Sequence, residues 1–157
     1  MGLFRKKNKV IELQGICLGE VKDITEAKDE VFSQKMMGDG VMVIPKHGDI
    51  YAPCDAEVTM VFPTKHALGL KLENGVEVLM HFGIDTVNLN GEGFEVLVKQ
   101  GSNVKTGELL WHADLDFIKS HAPSEAMMVI VTTLPDGLTI KKHLGSKKTG
   151  EMFLEFC

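Results

Sequence analysis

The stretch TKHALGLKLENGVEVLMHFGIDT, residues 64–86, holds two histidines, His66 and His81, with Thr64 just ahead of the first and Asp85 just after the second. An imidazole near its ordinary pKa of about 6.5 is largely neutral at neutral pH. One ring can therefore offer a nucleophilic nitrogen while another donates an N–H to an oxyanion. That pairing suits a phosphoryl acceptor, because a transferring phosphoryl group spreads charge over oxygens that positioned donors can hold. A second chemistry competes. His66 with His81-x-x-x-Asp85 supplies two nitrogens and a carboxylate, which could hold zinc with an open position for hydrolysis, although no His-x-His or other clear third imidazole accompanies them. His47, His112, His121 and His143 lack such a setting and read as surface residues.

Whether the two rings meet depends on the hairpin that carries them. Asn74-Gly75 is a strong signal for a two-residue turn, since both residues tolerate positive φ. Such a turn sets Glu73 opposite Val76, Leu68 opposite His81 and His66 opposite Gly83, leaving the histidines as diagonal neighbours on one face. A slip to a three-residue turn would put them on opposite faces. Along the second strand Val76, Val78, Met80 and Phe82 form an apolar row and Glu77, Leu79, His81 and Gly83 the other. The histidines are thus expected on the outer face, in an apolar patch with Leu68, Leu70 and Leu79, and such patches bind partners.

The rest of the chain has the same rhythm of short apolar runs between Gly, Asn, Asp and Pro. Strands are expected at 41–44, 57–62, 67–72, 76–82, 95–98, 109–113, 127–132 and 152–156, with turns at 38–40, 73–75, 90–93, 105–107 and 135–137. A brief helix over 116–121 is expected, capped by Asp114 and stopped by Pro123. The class implied is all-β, a compact antiparallel sandwich or barrel-like domain with one or two very short helices.

At 157 residues, with 44% hydrophobic and 25% charged, the chain is the size of one domain and can bury a core. Its formal charge of -5 argues against nucleic acid. Cys17, Cys54 and Cys157 form no disulfide or zinc-knuckle pattern, which fits a reducing cytoplasm. Residues 1–9 read as a flexible basic arm, followed by no secretory apolar run, and Lys6 stands where a myristoylation signal wants Ser or Thr. The longest wholly apolar run, 126–131, is far short of the ~20 residues of a membrane span, so no stable membrane insertion is expected.

GDGVMVIP, TKHALGL, HFGIDTVNLNGEGF and GSNVKTGELL resemble the glucose-type enzyme IIA of the bacterial phosphoenolpyruvate-dependent sugar phosphotransferase system, from about Gly15 to Glu151. The resemblance implies a free-standing, monomeric IIA domain over 10–157. It implies that His81 takes a phosphoryl group from phospho-HPr and passes it to a IIB domain of a permease for a glucose-family sugar. His66 would hold the phosphoryl oxygens and Thr64 would orient His66. Asp85 and Asp29 would be carboxylates meeting a basic partner, and Val31, Phe32, Met36, Met37, Leu68 and Leu79 the docking patch. The Met and Leu content of that patch, and Glu30 at an expected apolar position, depart from the family pattern. No cofactor and no metal are required, zinc at His66 and His81 being at most adventitious or regulatory. Other regulatory targets are compatible with the role. The alternatives are a zinc-dependent hydrolase of similar β architecture and a regulatory paralogue that is not phosphorylated.

Overall fold

The computed structural model describes residues 11–157; the expected basic arm at 1–9 lies outside the described residues. Among these, the strands are β1 (Ile11–Gln14), β2 (Gly19–Asp23), β3 (Asp39–Pro45), β4 (Asp49–Tyr51), β5 (Ala56–Val61), β6 (Ala67–Lys71), β7 (Glu77–Ile84), β8 (Phe94–Val96), β9 (Asn103–Val104), β10 (Leu109–Ala113), β11 (Ser124–Thr133), β12 (Ile140–Lys142), β13 (Gly145–Lys147) and β14 (Met152–Phe156). All pair antiparallel, in one sheet ordered β13-β2-β3-β11-β7-β6-β5-β9 and two small sheets, β1-β14-β12 and β4-β10-β8.

Each of the eight apolar runs overlaps a strand, 95–98 only in its first two residues. β1, β2, β4, β9, β12 and β13 are additional; they are short or largely polar, so alternation over four or more residues never announces them. The expected turn at 38–40 is instead the entry to β3. Gly40 pairs with Ile130, and a Cβ there would collide with the Val129 carbonyl, so this glycine serves close strand approach rather than a turn.

Both faces of the large sheet are covered. Val58, Leu68, Leu70, Val78, Met80, Phe82, Met127 and Val129 face the small sheets, whose Leu13, Ile50, Leu110, Trp111, Phe153 and Phe156 are buried with them in the main core. On the other face Met42, Ala67, Leu79, Ile84, Met128 and Ile130 form a second cluster, roofed by Ile24, Ala27 and Phe32. That roof is the segment between β2 and β3. Asp23 caps a 3-10 turn (Ile24–Glu26), and Asp29 caps the four-residue helix α1 (Glu30–Ser33) by accepting from the Val31 amide at 2.9 Å. The other helix, α2 (Leu115–His121), begins as expected at Asp114, whose carboxylate accepts from the Phe117 amide at 3.1 Å.

Candidate functional site

The β6–β7 hairpin closes with three residues, not two. The Leu72 amide donates to the Val76 carbonyl, the Leu72 carbonyl accepts from the Gly75 amide, Gly75 at φ 89° takes the left-handed position, and Asn74 Oδ1 accepts from the Val76 amide. This is a type of turn Asn-Gly also serves, and the single extra residue shifts the register. His81 consequently faces Ala67, and Leu68 faces Met80. Leu68 and Leu70 therefore point into the main core, with Leu68 wholly buried. Neither belongs to an outer patch; this corrects the docking assignment of Leu68. Leu79 does share the face of His81, but it lies beneath the α1 segment and is buried too.

A three-residue turn ought to separate the histidines, yet their ring centroids lie 4.9 Å apart at 80°. Alternation governs only residues inside a strand, and His66 precedes β6. The residue before it, Lys65, adopts a left-handed φ of 59°, and its carbonyl accepts from the buried Trp111 Nε1 at 2.8 Å. His66 is almost fully buried, its Nδ1 2.6 Å from Thr64 Oγ1 and its ring 5.4 Å from that of Phe62.

His81 is clamped from its other side. Its Nδ1 lies 2.9 Å from the Gly83 carbonyl, which can only accept, so Nδ1 carries the proton and Nε2 keeps its lone pair. Gly83 itself has φ 86°, and a Cβ there would collide with Thr86 and the Ser124 carbonyl. Thr86, wholly buried, donates from its hydroxyl to the Phe82 carbonyl at 2.6 Å, fixing the corner from which Asp85 projects into solvent.

These are the features of a two-imidazole site whose nucleophilic nitrogen is prepared by backbone geometry. Comparison with known proteins shows the family. Residues 11–136 match the family model for the phosphoenolpyruvate-dependent sugar phosphotransferase system, EIIA 1. The chain belongs to this family. The IIA chain is 53% identical over 135 residues to a PTS system glucose-specific EIICBA component, and 46% identical over 136 residues to a PTS system glucoside-specific EIICBA component, both from Staphylococcus carnosus (strain TM300). Those matches cover 85% and 87% of this chain but 20% of each relative, so it spans about a fifth of their length. The glucose permease IIA from Mycoplasma capricolum has the same fold, with a TM-score of 0.90 at 37% identity over 94% of this chain and 96% of that one.

Within this phosphotransferase component the electrostatics favour neutral rings. Burial, and secondarily the neighbouring His81, push the pKa of His66 down to about 4. Burial also lowers the pKa of His81, against the opposing pull of the Gly83 carbonyl and of Asp29 and Asp85. The structure thus brings Thr64, His66, His81, Asp29 and Asp85 together. Val31, Met36 and Met37 are exposed at 42%, 69% and 40%, whereas Phe32 is buried with its ring 5.0 Å from that of His81. Phe32 backs the site rather than presenting a surface.

Sequence reasoning missed Phe62, Trp111 and Val87, the last exposed two residues beyond Asp85. A lone Trp beside an alternating run signals a buried indole that needs an acceptor, and that signal could have found Trp111. His112 and His143 lie 2.6 Å from Asp49 and Glu155, and His121 stacks on Phe117. Among the described residues no three His, Cys, Asp or Glu side chains converge as a metal site, so the hydrolase reading gains no third ligand. The three cysteines are free thiols, and burial pushes Cys17 and Cys54 up to about 12. No helix among the described residues is long and apolar enough to cross a membrane.

Proposed function

We propose that His81 is the phosphoryl acceptor of this IIA chain, with phospho-HPr as donor and a IIB domain of a glucose-family sugar permease as recipient. The observation that carries the reading is the Nδ1–Gly83 bond, which leaves Nε2 as the free nucleophile beside a second imidazole. The Nε2 lone pair of His81 attacks phosphorus in line with the donor's P–N bond; as that bond breaks, its electron pair returns to the donor imidazole. Onward transfer repeats the exchange with His81 as the leaving imidazole.

His66 holds the phosphoryl oxygens. With the Thr64 hydroxyl donating to Nδ1, the His66 proton resides on Nε2 and is available to an oxygen. Depressed pKa values keep both rings neutral at neutral pH, so the acceptor does not lose its nucleophile to protonation. Val31, Met36 and Met37 form the exposed apolar docking surface, and Asp29 and Asp85 steer a basic partner toward it. On this reading 10–157 is one cytoplasmic, monomeric domain, and regulatory partners would use the same face.

The test is acid-labile ³²P transfer from phospho-HPr. Wild type becomes labelled and His81→Ala does not, with the circular dichroism of the two alike. Label retained in His81→Ala overturns the site, and an unlabelled wild type favours the regulatory paralogue.

A further inference from the structure

Residues 24–38, between β2 and β3, carry Asp29, Val31, Phe32, Met36 and Met37. Strand pairing brings the two feet of this segment together, since Asp23 pairs with Val41, two residues along β3 from Asp39. Two carboxylates so placed repel one another unless a cation lies between them. Lys142 of β12 supplies it, with Nζ 3.0 Å from Asp23 Oδ2 and 2.6 Å from Asp39 Oδ1, and only 16% of its side chain is exposed.

Each carboxylate is also tied into the segment. Asp23 accepts from the Thr25 amide at 3.1 Å, opening the 3-10 turn, and Asp39 pairs with Lys35 at 3.4 Å just past α1. Partial burial works against ionising either acid. Even so, bonds from the Thr25 amide and Lys142 hold Asp23, and bonds from Lys142 and the Gly40 amide hold Asp39, below the ordinary carboxyl range. The histidines need none of this, since His81 lies in β7 between β6 and β11 and the His66 carbonyl accepts from the Phe82 amide at 2.7 Å. Lys142 also lies beyond residue 136, where the family match ends.

We infer that Lys142 is a positioning residue for partner docking: it staples both feet of the 24–38 segment and so sets where Val31, Met36 and Met37 stand relative to His81. The inference rests on the phosphocarrier reading. An ammonium with three donors can serve two carboxylates at once, and an unbranched apolar replacement leaves Asp23 with its Thr25 bonds and Asp39 with Lys35 and the Gly40 amide, two half-buried carboxylates with no cation shared between them.

The experiment follows initial rates of labelling against phospho-HPr concentration for wild type, Lys142→Met and Lys142→Arg, with amide exchange of 24–38 and β7. In Lys142→Met the KM rises roughly tenfold, kcat falls by less, and exchange quickens in 24–38 while β7 stays protected; Lys142→Arg recovers most of the KM. A KM within about twofold of wild type, or a rise matched by equal loss of protection in β7, overturns the inference. Should Lys142→Met not fold, Asp23→Asn, which releases one arm of the staple, is measured in its place, and an unaltered KM there is equally fatal. Failure of wild type to be labelled overturns the phosphocarrier reading and this inference with it; a labelled wild type with an unaltered variant overturns this inference alone.

Discussion

The β6–β7 hairpin and the 24–38 segment meet at His81, but they are built in opposite ways. The hairpin lies inside an eight-stranded sheet, with β5 and β11 on its flanks, so the position of each imidazole is set by backbone bonds, Gly83 and a left-handed Lys65. The 24–38 segment has one four-residue helix and a 3-10 turn, holds its place by side chains, and exposes Val31, Met36 and Met37. Under the proposed function, chemistry that tolerates little displacement sits on the ladder, while recognition sits on a segment whose surface residues can change without disturbing it. Phe32 joins the two, anchored in the segment and packed on the ring of His81.

The contrast breaks most visibly at His81. His81→Ala is expected to remove all labelling while leaving the fold intact, since the side chain is half-buried and contributes little to the core. Next comes His66→Gln. The amide can still donate to an oxygen, so labelling from HPr persists. Delivery to IIB slows by ~100-fold, because a misplaced donor stabilises the charge redistribution of the breaking P–N bond poorly. Chase kinetics of the labelled variant with a purified IIB domain read this directly, and delivery at the wild-type rate would show that His66 is not a donor.

Much of this contrast was legible in the residues, and its gaps have physical causes. HFGIDT and TKH marked the two imidazoles that meet, and the apolar runs marked eight of the strands. The loop length did not show, because Asn74-Gly75 serves both two- and three-residue hairpins, and one residue of slip sends Leu68 and Leu70 to the core. Nor did the position of His66. Its proximity to His81 comes from Lys65 and a bond from Trp111, 46 residues away, which no local pattern encodes. The roof over Leu79 was hidden for a similar reason, since α1 is too short to show helical periodicity.

The same correction supplies a third prediction, on stability rather than transfer. Leu68→Ala should cost about 2–4 kcal/mol by opening a cavity in the main core, while Met36→Ala, at an exposed position, should cost less than about 0.5 kcal/mol. Denaturant titration checks both. A mild effect at Leu68 with a raised KM for phospho-HPr would restore it to the docking surface.

A fourth prediction uses the buried ring. The unfolded chain takes up a proton on His66 near 6.5, whereas the folded site resists it down to about 4. Because the unfolded state binds more protons between these values, the stability gained by keeping His66 neutral is complete above pH 6.5 and is lost as the pH falls toward 4. His66→Gln should flatten the fall in the urea midpoint across that window, and an equally steep fall in the variant would assign the pH dependence elsewhere.

The smallest effect belongs to the carboxylates at the rim. Asp29→Asn removes a charge but keeps an oxygen able to cap α1, since Asn and Asp are comparable N-cap residues. What remains of its contribution is steering, which acts on the encounter with a basic partner and is screened within about 8 Å at physiological salt. The variant should raise KM for phospho-HPr about two- to threefold at low ionic strength, and the difference should vanish as salt is added. Asp85→Asn, at an exposed left-handed position that Asn also tolerates, should behave alike. A Val31→Asp change should instead raise KM at every salt concentration, because it places a charge in the apolar contact itself, where desolvation rather than steering decides the cost. If the Asp29 effect survives high salt, that carboxylate makes a buried contact with the partner and belongs with the anchored parts of the site rather than with its adjustable rim.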